Sequence, residues 1–96
     1  MVIIGYEDRY NFFSTVSDTP IYDSALTAEQ LVEVIKIERG KEGLRGLEGR
    51  MERVKVKGTS SAIDSSLQET ILIFLSNADM SYQEFLDNYL SFSNGY

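Results

Sequence analysis

Serine hydroxyls are the first groups in this sequence that could carry nucleophilic chemistry, and Ser60, Ser61, Ser65 and Ser66 lie close together. A serine becomes a nucleophile only when a neighbouring base removes its proton, and histidine is the usual base. The chain has no histidine and no cysteine. A Ser–Lys pair is conceivable, but no lysine stands out by its position in the sequence. Nucleophilic catalysis is therefore not indicated.

Acidic residues and glycines also lack the spacing of known reactive sites. The carboxylates occur singly and mostly at expected helix starts, where capping accounts for them. Gly40-Lys41 is followed by Glu42 instead of the Ser or Thr of a phosphate-binding loop, and no Gly-x-Gly or Asp-x-Asp spacing occurs. We therefore predict a protein that is not an enzyme and that uses no cofactor and no metal.

Charge is segregated along the chain, a feature that the net charge of −6 conceals. Residues 1–35 hold six acids and one base, and residues 36–57 hold eight bases and four acids. Residues 58–96 hold five acids and no lysine or arginine. A basic centre thus lies between two acidic arms.

Two sets of these charges are the candidate partner-binding residues. The acidic set is Asp64, Glu69, Asp79, Glu84 and Asp87. The basic set is Arg39, Lys41, Arg45, Arg50, Arg53, Lys55 and Lys57. The fold could pair the two sets within one molecule, at about 0–1 kcal/mol for each exposed pair. Alternatively, one set meets an external partner, or copies of the chain dock acidic face to basic face, because complementary charge speeds and orients such encounters.

The N-terminal half predicts a β-hairpin followed by a helix. Residues 2–6 and 10–16 are rich in β-branched and aromatic side chains, and residues 7–9 between them form the turn. Thr27 and Gln30 have the spacing of a capping box, which predicts a helix from Ala28 to about Arg39 that ends at Gly40.

The middle of the chain repeats glycine at every third position, at residues 40, 43, 46 and 49. A collagen triple helix needs glycine at every third position, but four triplets without proline are too few to form one. An α-helix is also disfavoured, because each glycine costs it about 1 kcal/mol relative to alanine. Residues 39–50 are therefore predicted to be a flexible basic loop that orders on binding or assembly. Residues 51–57 alternate, with Val54 and Val56 on one face, and predict a strand whose other face is cationic.

The C-terminal third predicts helices that cover the core. One helix runs from Ile63 to about Ala78, although residues 71–75 also fit a buried strand. Ser81 and Glu84 form a second capping box before an amphipathic helix. Residues 1–96 are thus predicted to be one small α+β domain, with a short antiparallel sheet and two or three helices packed on one side.

These observations predict a non-enzymatic protein-binding protein. Our specific hypothesis is a small acidic inhibitor of the phage or mobile-element type, anti-defence or anti-CRISPR-like, that blocks a nucleic-acid-binding partner. The alternative is an oligomeric structural subunit of a phage particle or tail that assembles by acidic-to-basic contacts. A third interpretation is nucleic-acid binding through residues 39–57. The negative net charge of the protein and the acidic residues within this segment argue against it.

Location is predicted only by exclusion. The longest apolar run, residues 71–75, is far shorter than the ~20 residues that span a bilayer, and the N-terminus lacks the features of a signal peptide. We therefore expect no membrane partner and a cytoplasmic location, in a host cell or within a virion.

Overall fold

Three antiparallel strands and five helices occupy residues 1–92, the part of the chain that the computed structural model describes. In chain order they are β1 (Val2–Tyr6), β2 (Arg9–Ser14), β3 (Thr19–Pro20), α1 (Ala28–Leu44), α2 (Leu47–Lys57), α3 (Leu67–Thr70), α4 (Leu72–Ala78) and α5 (Tyr82–Tyr89). The structure is 51% helical and 16% strand, which confirms the predicted α+β class.

The β1–β2 hairpin is confirmed, with Ile3 opposite Phe12 and Gly5 opposite Tyr10. Its turn places Glu7 and Asp8 at φ values of 50° and 62°. Two consecutive residues with positive φ are typical of the tight hairpin turn that matches the twist of paired strands. The second strand ends at Ser14, two residues earlier than predicted, because the chain then turns back to pair β3 with β2.

The outer edge of β1 is covered by the segment that follows α2. The Gly5 N–H donates to the Gly58 carbonyl at 3.0 Å, and the Ser60 N–H donates to the Ile3 carbonyl at 2.8 Å. The Ser60 hydroxyl also accepts from the Ile3 N–H at 2.9 Å. The backbone groups of this edge are therefore paired with the chain itself and are not open to another strand.

The sheet carries a separate apolar core on each face, because successive side chains of a strand point to opposite faces. Ile3 and Phe12 pack with helices α1 and α2, in a cluster completed by Leu31, Ile35 and Val54. Ile4 and Phe13 pack on the other face, in a cluster completed by Leu67, Ile71, Leu75, Phe85, Leu86 and Leu90. The helices thus cover both faces of the sheet, whereas the sequence predicted helices on one side.

Most of the glycine segment lies in helices α1 and α2, so the flexible loop predicted over residues 39–50 is wrong, although Gly40 and Gly46 themselves have non-helical φ values of 61° and 72°. Helix α1 starts at the predicted Thr27 capping box and runs to Leu44, with a kink at Gly40 (φ 61°, ψ −150°). Gly43 is buried, and a Cβ there would lie 2.8 Å from Ile35 Cγ2, so this turn of the helix packs closely because it lacks a side chain. The cost of glycine in a helix predicts a loop here, but the missing side chain at Gly43 also permits this close packing.

Residues 51–57 are also helical, which overturns the predicted strand. Val54 is buried against the sheet, but Val56 is 74% exposed, so the alternating pattern does not mark one buried face. Gly58 ends α2 in the left-handed conformation, with φ 84° and its N–H bonded to the Val54 carbonyl at 2.7 Å. The edge of β1 that a further strand would have used pairs with residues 58–60 instead.

The C-terminal helices are confirmed with changed bounds. The predicted helix over residues 63–78 begins at the Ser66 cap and is interrupted at Ile71, which separates α3 from α4. The run of residues 71–75 is therefore not a strand. The Ser81–Glu84 capping box opens α5 as predicted, and α5 directs Phe85 and Leu86 into the core.

Asn11 is a fully buried polar side chain that links three parts of the fold. Its amide nitrogen donates to the carbonyls of Tyr22 and Tyr89, at 2.9 Å each. Its carbonyl oxygen accepts from the N–H groups of Phe12 at 2.8 Å and of Tyr22 at 3.2 Å. One side chain thus ties β2 to the loop after β3 and to the end of α5.

Replacing Asn11 tests this linkage. We expect Asn11→Ala to lower the free energy of unfolding by about 2–4 kcal/mol, because it leaves several buried backbone groups without partners. Asn77→Ala, at an exposed position of α4, is the control and should change the stability little. Urea denaturation of both variants measures the difference, and equal stabilities would contradict the assignment.

Candidate functional site

The acidic set lies on one side of the sheet, in the layer formed by residues 62–90, which we call the acidic layer. Asp64 precedes α3, Glu69 lies in α3, Asp79 follows α4, and Glu84 and Asp87 lie in α5. All five residues are exposed. Residues 58–96 contain no lysine or arginine, so this layer supplies no cation of its own, and the Lys57 ammonium reaches its edge at the Ile63 carbonyl.

Two of these carboxylates also have a structural role. Glu69 accepts from the Ser66 N–H at 3.0 Å, and Glu84 accepts from the Ser81 N–H at 3.1 Å. Each serine hydroxyl in turn accepts from the N–H of its glutamate, which completes a capping box at the start of α3 and of α5. The hydrogen bonds from Ser81 hold the pKa of Glu84 below its usual value of 4.5.

Apolar side chains are exposed within the acidic layer. Leu72 and Ile73, on the outer side of α4, are 57% and 55% exposed, and Ile63 is 76% exposed. Exposed apolar residues on a layer that also exposes charge are typical of protein interfaces, which combine an apolar centre with a polar rim.

The basic set divides into two groups. Three of its members donate to backbone carbonyls: Arg50 to Gly43 at 2.6 Å, Arg53 to Ser60 at 2.9 Å, and Lys57 to Ser61 and Ile63 at 2.8 Å each. These side chains fix the ends of α1 and α2 and the following loop. The other four are exposed on α1, on α2 or between them: Arg39, Lys41, Arg45 and Lys55.

The structure does not pair the acidic set with the basic set. Within residues 1–92, the ion pairs shorter than 4 Å are Arg9–Glu7 at 3.6 Å and Arg45–Glu42 at 3.3 Å, and both are local in sequence. The sheet and its two cores lie between the acidic layer and helices α1 and α2, which carry the basic set. The described residues therefore do not form the ion pairs between the acidic and basic sets that pairing within one molecule would require.

A cleft that the sequence analysis did not identify lies beside the β1–β2 turn. It has a volume of about 320 Å³ and brings together Tyr6 and Tyr10, from the two strands of the hairpin, and Tyr82, from the first turn of α5. No local motif connects these tyrosines, because the cleft exists only once the hairpin, α2 and α5 have packed. Sequence spacing therefore offered no signal for it.

Comparison with known proteins adds no further assignment. No protein-family model, curated protein or solved structure matches this chain. Within the described part of the chain, no group of three or more acidic side chains is placed to hold a metal ion, and no helix is long and apolar enough to cross a membrane.

Glu84 should make the stability of the protein depend on pH. Its pKa is lower in the folded state, so its contribution is present above the unfolded-state pKa and is lost as the pH falls through the folded-state pKa. We expect Glu84→Gln, whose amide oxygen can still accept from Ser81, to remove this part of the pH dependence.

Thermal unfolding between pH 7 and pH 2 measures this effect. The melting temperature of Glu84→Gln should lie below that of the unmodified protein at pH 7 and approach it in acid. Glu33→Gln, on the exposed side of α1, corrects for the loss of one negative charge. A difference between the Glu84 variant and the unmodified protein that stays constant with pH would refute the capping role of the carboxylate.

Proposed function

We propose that this protein is a non-enzymatic binding protein that docks a protein partner on its acidic layer. The observation that carries this proposal is the combination on one layer of five exposed carboxylates, no lysine or arginine among its own residues, and the exposed side chains of Ile63, Leu72 and Ile73. The carboxylates would steer a basic surface towards the layer, and the apolar side chains would supply the buried centre of the complex.

The partner that fits this chemistry has a cationic surface of the kind that binds nucleic-acid phosphates. The carboxylates of the acidic layer would offer this cationic surface negative charges that take the place of the phosphates. Occupying the surface would exclude the nucleic acid, which is the action of a small acidic inhibitor of the phage or mobile-element type. This interpretation is supported by the sign, exposure and lack of internal pairing of the acidic set.

Neutralising the acidic layer without disturbing its fold tests the proposal. The variant Asp64→Asn, Asp79→Asn, Asp87→Asn leaves the two capping glutamates intact. Asparagine tolerates the left-handed conformation of Asp79 (φ 52°), and at position 87 it can still accept from Gln83. The control variant Glu29→Gln, Glu33→Gln, Glu38→Gln removes the same charge from α1, on the other side of the sheet.

The immobilised protein is exposed to the heparin-binding fraction of a lysate from cells that express it, because heparin enriches basic, nucleic-acid-binding proteins. We expect the unmodified protein and the control to retain the same partner, which added duplex DNA displaces. The acidic-layer variant should retain it at least tenfold less. Equal retention by this variant, or retention that DNA does not affect, would contradict the proposal.

Assembly of copies of the chain is the second candidate, and a specific observation favours it. Ile37 and Val56, on the helices that carry the basic set, are 77% and 74% exposed. This side of the molecule therefore exposes apolar residues together with cations, whereas the acidic layer exposes Leu72 and Ile73 together with carboxylates. The two surfaces are complementary in charge. Because the two surfaces lie on opposite sides of the sheet, their contact would join copies head to tail and build rings or open arrays, as in a structural subunit.

Complementary variants separate this candidate from the first. Ile73→Lys places a cation on the acidic layer, and Val56→Glu places an anion beside the basic set, so each variant keeps one intact surface. We expect the unmodified protein to form large, salt-sensitive assemblies, each variant alone to be monomeric, and their mixture to form dimers. Analytical ultracentrifugation measures this, and a monomeric unmodified protein would exclude the assembly.

Nucleic-acid binding through residues 39–57 gains no comparable support. Arg50, Arg53 and Lys57 donate to backbone carbonyls of the protein itself. The exposed cations that remain are interleaved with Glu42, Glu48 and Glu52.

A further inference from the structure

The cleft beside the β1–β2 turn has the size of a small-molecule site. Its volume of about 320 Å³ lies at the lower end of the ~300–1,000 Å³ typical of ligand pockets. Side chains from the turn, from the last turn of α2 and from the beginnings of α3 and α5 line it. The lining includes Glu7, Asp8, Tyr10, Lys55, Leu67 and Tyr82.

Charges of both signs line this cleft without pairing across it. The hairpin turn contributes Glu7 and Asp8, and α2 contributes Lys55 and Lys57. Glu7 is paired with Arg9, and the Lys57 ammonium donates to the carbonyls that follow α2. Within residues 1–92, Asp8 has no ion pair shorter than 4 Å, and Lys55 has neither an ion pair nor a hydrogen bond. One carboxylate and one ammonium therefore face the same space from different elements.

Tyrosines supply the aromatic part of the lining. The pKa of Tyr10 is raised mainly by burial and, to a smaller extent, by the negative charge and hydrogen bonding of Asp8. The pKa of Tyr82 is raised mainly by burial and, to a smaller extent, by its electrostatic interaction with Tyr6. At neutral pH these phenols keep their protons, so they offer hydroxyl donors and neutral rings. Such rings accept an aromatic edge or face and attract an ammonium group.

The base of the cleft is held by two close contacts between backbone and side chain. A Cβ on Gly5 would lie 2.6 Å from Val54 Cγ1, and a Cβ on Gly58 would lie 2.7 Å from Leu67 Cβ. The Val54 side chain of α2 therefore packs directly on the backbone of β1, and the Leu67 side chain of α3 packs directly on the backbone at the end of α2. The elements that carry Asp8 and Lys55 are fixed relative to one another by this packing.

We propose that this cleft binds a small zwitterion with an aromatic body, of which a free aromatic amino acid is the simplest example. The ammonium of the ligand meets Asp8, its carboxylate meets Lys55, and its ring lies against the tyrosines. Neither a purely anionic nor a purely cationic ligand satisfies both charges. This site is separate from the carboxylates of the acidic layer, so its test is independent of the proposed docking function.

Three probes that differ only in charge test the chemistry of the site. L-Phenylalanine carries both charges, 3-phenylpropionate lacks the ammonium, and 2-phenylethylamine lacks the carboxylate. Titrations followed by the ¹⁵N NMR signals of Gly5 and Gly58 should show saturable binding of L-phenylalanine. Each analogue should bind at least tenfold more weakly, since each loses one charge-assisted contact.

Matched variants then assign the two contacts. Asp8→Asn and Lys55→Gln should each weaken L-phenylalanine binding about tenfold. The first control, Asp18→Asn, replaces another aspartate with positive φ (55°) in a different turn, and the second, Lys36→Gln, replaces an exposed lysine of α1. Both controls should bind as the unmodified protein does. The proposal is overturned if L-phenylalanine causes no shift at these glycines up to its solubility limit, if the analogues bind as tightly, or if the controls weaken binding equally.

Discussion

The β1–β2 hairpin is buried on both faces, and this two-sided burial determines where every helix packs. Neighbouring residues Ile3 and Ile4 enter different cores, and so do Phe12 and Phe13. Each core requires its own helices, because an apolar sheet face must be covered. The chain meets this requirement in order, with α1 and α2 on one face and α3, α4 and α5 on the other.

This arrangement converts a pattern of charge along the sequence into a pattern of charge in space. The chain changes faces once, at residues 58–60, which run along the edge of β1. The change falls at the boundary between the basic centre and the C-terminal acidic arm. The two oppositely charged segments consequently lie mostly on opposite faces of the sheet, and the ion pairs within residues 1–92 do not join the acidic set to the basic set. Lys57, at the end of α2, reaches the acidic layer through the Ile63 carbonyl.

Local signals predicted a large part of the fold. The capping boxes at Thr27 and Ser81 and the hairpin are determined by nearby residues, and the structure has all three. The glycine repeat was misinterpreted because Gly43 packs against the preceding part of the kinked helix α1, and residues 51–57 because the edge of β1 that a strand there would need is covered by residues 58–60. The buried turn at Gly43 and the covered edge of β1 have no local sequence signature.

The candidate sites divide in the same way. The sign and segregation of the charges could be read from the sequence, since they need only a count along the chain. The exposed positions of Leu72 and Ile73 could not, because periodicity does not say which flank of a wide apolar stripe is covered. The tyrosine cleft was equally inaccessible, as its lining comes from elements distant in sequence.

Carboxylate footprinting of the protein bound to its captured partner shows which face of the sheet makes the contact. Carbodiimide labelling, read by mass spectrometry, reports the accessibility of each acidic side chain in the free and bound states. If the acidic layer docks the partner, Asp64, Asp79 and Asp87 become protected in the complex while Glu29 and Glu33 on α1 stay reactive. Protection of the α1 glutamates with unchanged labelling of the acidic layer would contradict docking on that layer.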